Sequence, residues 1–140
     1  MTTCSTTDHP NAALGLRMLS AVLADDEPGA LSLVHPDHVD HAPAGDLHGR
    51  EALRAFLQWM AATLTDREEL IEDVIASDDR VVVRSRLSAT HAGELLGVPA
   101  TGRRFVTRAV HIWRVEDGLL AEHWMFRDDI AALRQLGAGR

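Results

Sequence analysis

The hydrophobic period of this chain changes once, near Asp66, and that change limits the possible folds more than any other feature. Before it, apolar residues recur at helical spacing. Leu14, Met18 and Val22 form one stripe with Leu19 and Leu23 offset, and Leu53, Phe56, Leu57, Met60 and Leu64 form another. Beyond it, residues 69–77 and 80–91 read as strands joined by a tight turn at Asp78-Asp79. Residues 103–115 and 119–127 read as a second pair, turned at Glu116-Asp117-Gly118. Helices followed by a run of antiparallel strands are the α+β arrangement, not alternating β/α units. A strongly bent sheet wrapped around early helices leaves a pocket between the two layers.

The punctuation places the elements. Asp8 is the expected N-cap of a first helix, with Pro10 in its first turn, running to about residue 24. Asp25-Asp26 breaks it and caps a short helix over 27–34. Residues 38–41 make a brief strand, and 42–49 a loop marked by Pro43 and Gly45. The third helix spans 51–64. A Gly/Pro loop covers 92–102, and Asp128 or Asp129 caps a last helix over 130–136, closed by Gly137. Residues 1–8 read as a flexible leader and 9–140 as a single domain.

Composition removes whole classes of chemistry. All 14 basic residues are arginine, and the chain has neither lysine nor tyrosine, so Schiff bases, lysine bases and tyrosine acids are excluded. The single Cys4 lies in the leader, which rules out an internal disulfide. A net charge of −7 argues against nucleic-acid binding. No apolar run reaches the length of a membrane span and no signal-peptide pattern opens the chain, so the expected setting is the cytoplasm, away from membranes. No P-loop or nucleophile elbow occurs.

Several segments carry a resemblance. They are Val39-Asp40-His41-Ala42-Pro43, Gly49-Arg50-Glu51-Ala52-Leu53, and Glu72 to Ala76 before Asp79-Arg80-Val81. The stretch from Thr90 to Arg103 is close to THxGEFxGxPPTGR, and Trp113-Arg114-Val115, Asp117-Gly118, Glu122-His123-Trp124, Asp128 and Gln135-Leu136-Gly137 follow. Together they resemble the SnoaL-like polyketide cyclase family of the NTF2-like superfamily over roughly residues 35–137. The resemblance implies a cone-shaped α+β barrel, with N-terminal helices packed on a strongly curved, mostly antiparallel sheet around an apolar pocket. It implies intramolecular aldol ring closure without metal or organic cofactor, on an apolar or polycyclic small molecule, in a homodimer paired through exposed sheet faces. Because the fold hosts many chemistries, an epoxide-hydrolase-like or hydroxylating enzyme and a non-catalytic binder stand as alternatives.

The resemblance singles out Asp128 as the base, four residues after Trp124. A carboxylate serves as a carbon-acid base at neutral pH only where apolar surroundings raise its pKa, and Trp124 and Phe126 share its strand parity. The same aspartate also suits the N-cap of the last helix. Some family members carry an aspartate directly after the Glu-His-Trp triplet, where this chain has Met125. His111, inside an apolar strand at the position where fold relatives place an oxyanion donor, is either a second catalytic group or a core histidine. His123, a third candidate, has the opposite parity to Trp124 and Asp128, and suits a dimer face or the sheet exterior equally well. His41 and His91 are expected at the cavity mouth. Trp59, Met60, Trp113, Trp124 and Met125 are expected as substrate-binding walls. His35, His38 and His41 recur every three residues, but such a set scatters over both faces of a strand, so no metal site is assigned.

Overall fold

The computed structural model of the protein describes residues 8–42 and 45–137. Residues 1–7 of the expected leader, Cys4 among them, and Pro43 and Ala44 of the expected loop lie outside the described residues. Helices α1 (Pro10–Leu23) and α2 (Glu27–Leu31) lead into the hairpin β1 (Val34–Ala42) and β2 (Gly45–His48). Helix α3 (Gly49–Thr63), strands β3 (Leu64–Ala76), β4 (Arg80–His91), β5 (Arg104–Glu116) and β6 (Leu119–Arg127), and helix α4 (Asp129–Gln135) complete the chain. The six strands form one sheet in the order β2-β1-β6-β5-β4-β3, antiparallel except where β1 runs parallel to β6. This is the α+β cone expected from the sequence. No helix among the described residues is long and apolar enough to cross a membrane.

Local chemistry explains the boundaries that differ from expectation. His9, not Asp8, caps α1, its ring Nδ1 accepting the Asn11 N–H at 3.1 Å. Helix α2 stops at Leu31 because the Leu33 carbonyl already accepts the Leu120 N–H of β6 at 2.8 Å. Strand β1 is nine residues long instead of four, and its register with β6 slips between Val34 and Val39. Pro36 sits in that slip, where a missing N–H costs no ladder bond. Strand β2 lies within the expected loop, and its four residues are all exposed, so no alternating pattern marks it. Strand β3 starts at Leu64, five residues early, and carries two register shifts against β4, between Thr65 and Glu68 and between Ile71 and Asp73. Such bulges bend and twist a strand, and here they curl the sheet over the helices.

The Asp117-Gly118 pair is the hairpin turn. Both residues have positive φ, 54° and 71°, which a two-residue turn of this hand requires. Along β5 the odd-numbered residues from Phe105 to Trp113 point to the concave side and are buried. Helix α1 seats on them through Gly15, where a Cβ would stand 3.1 Å from Val81 Cγ2 and 3.3 Å from the Trp113 ring. One core cluster lies under α1 around Val81, Val83, Trp113 and Leu120, and a second gathers Leu64, Phe105, Ala132 and Leu136 where α4 closes the sheet.

Candidate active site

A two-lobed chamber lies between the helices and the concave face. One lobe holds about 780 Å³ of empty space including its open mouth, the other about 490 Å³. Leu19, Val22, Met60, His111 and Met125 border both lobes, so His111 and Met125, cross-strand neighbours on β5 and β6, stand at the waist.

Three polar side chains from three strands meet there. Asp40 on β1 is in register with His123 on β6, and His123 faces Trp113 on β5, one pleat from His111. His123 Nδ1 lies 3.2 Å from Asp40 Oδ1, and His123 Nε2 lies 3.0 Å from His111 Nδ1. An ionised carboxylate only accepts, so the bond order fixes the tautomers. His123 donates through Nδ1 to Asp40 and accepts at Nε2 from the His111 Nδ1–H. His111 Nε2 then carries a lone pair and has no hydrogen-bond partner among the described residues. The Trp113 ring stacks on both imidazoles, with centroids 5.2 Å from His111 and 4.9 Å from His123.

Burial sets the electrostatics. His111 is only 8% exposed, and desolvation pulls its pKa down to about 3. His38, also on the inner face of β1, is pulled down to about 4 for the same reason. Asp40 is held below its ordinary value: desolvation, the largest influence, acts upward, and it is outweighed by the His123 hydrogen bond together with the fields of the neighbouring histidines. The waist therefore holds the neutral His111 imidazole and one well-anchored carboxylate.

The parity expected from the sequence is right, but the face is reversed. His123, Met125 and Arg127 look into the chamber, whereas Phe126 is 63% exposed on the convex side. Asp128 accordingly does not border the chamber. It is exposed and caps α4, its Oδ1 accepting the Ala131 N–H at 3.1 Å. Trp124 is also outside the chamber, stacked on His41 at 4.8 Å. His41 is not at the mouth. It bridges Glu122 at 2.8 Å and Asp46 at 2.9 Å on the outer face, and those bonds, Glu122 first, raise its pKa. His91 is fully buried and pins the 92–102 loop, its Nδ1 accepting the Thr101 N–H at 3.2 Å. Trp59, Met60, Trp113 and Met125 do line the chamber.

Sequence reasoning passed over Asp40, His38 and the polar groups of β3. The alternation of His38 and Asp40 on one strand face was available, but with the strand started at residue 38 its pairing with β6 was not. Glu69 turns inward and accepts the Ser85 hydroxyl at 3.1 Å. Arg127 pairs with Asp129 at 3.2 Å.

A model of the SnoaL-like polyketide cyclase family matches residues 13–136. The aklanonic acid methyl ester cyclase of Streptomyces peucetius is 33% identical over 109 residues, 76% of this chain and 73% of that protein. The nogalonic acid methyl ester cyclase of Streptomyces nogalater is 33% identical over 108 residues, 74% and 80% of the two chains. Among solved structures, TsrD from Streptomyces laurentii matches with a TM-score of 0.84 at 33% identity, covering 93% of this chain and 96% of that one. With its curved sheet, enclosed chamber and these likenesses, the chain belongs to the SnoaL-like polyketide cyclase family.

Proposed function

We propose that this cyclase closes a ring of a polyketide-derived methyl ester by intramolecular aldol addition, with His111 as base and the His123–Asp40 pair as its proton sink. The observation that carries this reading is the hydrogen-bonded chain from Asp40 through His123 to His111 at the waist of an apolar chamber. His111 Nε2 removes a proton from the carbon between two carbonyls while its Nδ1–H passes to His123 Nε2. A lone buried imidazole holds a proton badly, as its depressed pKa records. The relay moves the positive charge to His123, beside the Asp40 carboxylate, where it is stabilised. The enolate carbon attacks a second carbonyl of the same molecule, a C–C bond forms, and the proton returns along the chain to the new alkoxide. Atoms and electrons balance within the substrate, so proton transfer is the whole demand on the protein and no cofactor is called for.

This scheme supports His111 and His123 as catalytic residues and replaces Asp128 with Asp40 as the carboxylate of the site. Trp59, Met60 and Trp113 supply flat apolar walls suited to a fused-ring molecule. Aklanonic acid methyl ester and nogalonic acid methyl ester, the compounds named for the relatives, are the substrates to assay. His111→Gln and Asp40→Asn should each lower turnover by roughly 10²–10⁴, the usual share of a general base, with the fold intact. Asp128→Asn should leave both turnover and stability unchanged, since asparagine caps as well as aspartate, whereas Asp128→Ala should keep turnover and cost about 1 kcal/mol of stability through the lost cap. Full activity in both relay variants, with loss in Asp128→Asn, would return the base to Asp128. The reading also carries a homodimer joined through the convex face.

A further inference from the structure

Away from the relay, the larger lobe ends in a second polar patch that the ring-closing chemistry leaves unused. Arg67, at the bulged start of β3, has a side chain only 5% exposed. Its Nη2 is spent on Asp25 and the Val22 carbonyl, but its Nη1 is buried with no hydrogen-bond partner among the described residues. Thr107 on β5 is in the same condition, 8% exposed with its hydroxyl unpaired among the described residues. Both border the same lobe as His111. A buried unpaired donor costs about 1–3 kcal/mol, so two in one cavity mark a place where a bound molecule completes the bonding.

We propose that Arg67 Nη1 and the Thr107 hydroxyl bind an uncharged carbonyl oxygen at the far end of the substrate, selecting an extended fused-ring ester over its free acid. Three observations set the chemistry. Arg67 is an obligate donor, so the ligand atom is an acceptor. Its charge is already matched by Asp25, and Glu69 lies in the same lobe, so a second carboxylate would meet negative charge. Burial also pushes the Glu69 carboxyl above its ordinary value, a sign that the lobe disfavours anions. Length follows from the strand: Thr107 and His111 are four residues apart on β5, about 13 Å at the usual rise. A molecule that touches both is an extended, multi-ring one, not a small ketone.

This inference rests on the chamber being the substrate site, and the test separates the two. Methyl anthraquinone-2-carboxylate and the corresponding free acid are titrated against the full chain by quenching of its tryptophan fluorescence, to which Trp59, Trp113 and Trp124 contribute. The ester is expected to bind at least tenfold more tightly than the acid. Thr107→Val, which keeps the shape and removes the hydroxyl, should weaken the ester about tenfold, one buried hydrogen bond. Arg67→Met should do the same if it folds; Thr107→Val carries the test if it does not. Ester binding that ignores Thr107→Val, or equal binding of ester and acid, overturns this inference alone. Absence of binding by either probe overturns it together with the chamber's assignment.

Discussion

At the scale of residues, the site is defined by what stands beside His111. Met125, directly after the Glu122-His123-Trp124 triplet, stands across the strand from His111 and inside the chamber. In the relay proposed above the carboxylate is Asp40, which reaches His111 through His123. Adding Met125→Asp to a His123→Gln protein, which has lost the relay, should therefore recover part of its turnover, at least tenfold, because a carboxylate beside His111 favours its protonated form. Continuous assays of the single and double variants check this; no recovery would show that the carboxylate must act through a second imidazole. The sequence named His111, His123 and Met125 but set Asp128 among them. Strand alternation tells which residues share a face without telling which face is inward, and Trp124 with Phe126 looked like the apolar side. Only the partners across the sheet decide that.

The buried histidines also set a pH dependence. His111 and His38, lowered to about 3 and about 4, stay neutral in the fold, while their unfolded forms take up protons below the ordinary value of 6.5. Unfolding thus binds protons as the pH falls from 6.5 toward 4, and stability declines by at most about 2.7 kcal/mol per pH unit. Asp40, held low, adds a loss at still lower pH, as its folded form is protonated. His41 has the opposite sign: raised by Glu122 and Asp46, it stabilises below 6.5 and its contribution disappears as the pH rises through its folded value. Urea midpoints at pH 5 and pH 7 should show the acid loss, reduced in His38→Phe. Equal midpoints would mean that the two rings are solvated.

Among the elements, helix α3, the Asp117-Gly118 hairpin and the four-strand run were legible because each has a strong local signal. The bulges of β3 and the slip in β1 were not, since a bulge is chosen by the curvature of the whole sheet. Those irregularities set the site: one turns Arg67 inward, the other brings Asp40 level with His123. The packing of α1 is the element most exposed to substitution. Trp113, not Trp124, is the buried tryptophan, 3% exposed beneath Gly15. Trp113→Ala should cost about 3–5 kcal/mol in chemical denaturation, and it also removes the plate on which the two imidazoles stack. A midpoint within 1 kcal/mol of wild type, as expected for Trp124→Ala if that ring stays half solvated, would show that the helix does not depend on Trp113.

For the molecule as a whole, the convex face carries large exposed apolar side chains. Phe126 stands exposed beside Val110, and Leu70 stands beyond the Arg86–Arg108 pair of the neighbouring strands. Arg84 and Arg86 lie among these apolar groups, already matched by Glu72 at 2.9 Å and 3.1 Å. Their charge is thus balanced within the chain and need not be desolvated alone when two faces meet. An apolar patch with internally compensated charges suits a self-complementary two-fold contact. Sedimentation equilibrium at micromolar protein should therefore give twice the 15.3 kDa of the chain. Salt discriminates the forces. Each chain carries −7, so two chains repel over a distance that added salt shortens, while apolar contact is indifferent to screening. The dimer should hold or tighten between 0.05 and 0.5 M salt, on the order of the range where the screening length falls below 10 Å. Phe126→Glu should yield the single-chain mass while retaining turnover, because the described lining of the chamber comes from one chain. A wild-type mass of 15.3 kDa would remove the convex face as an interface, and a monomeric Phe126→Glu protein without activity would show that the chamber depends on the second copy.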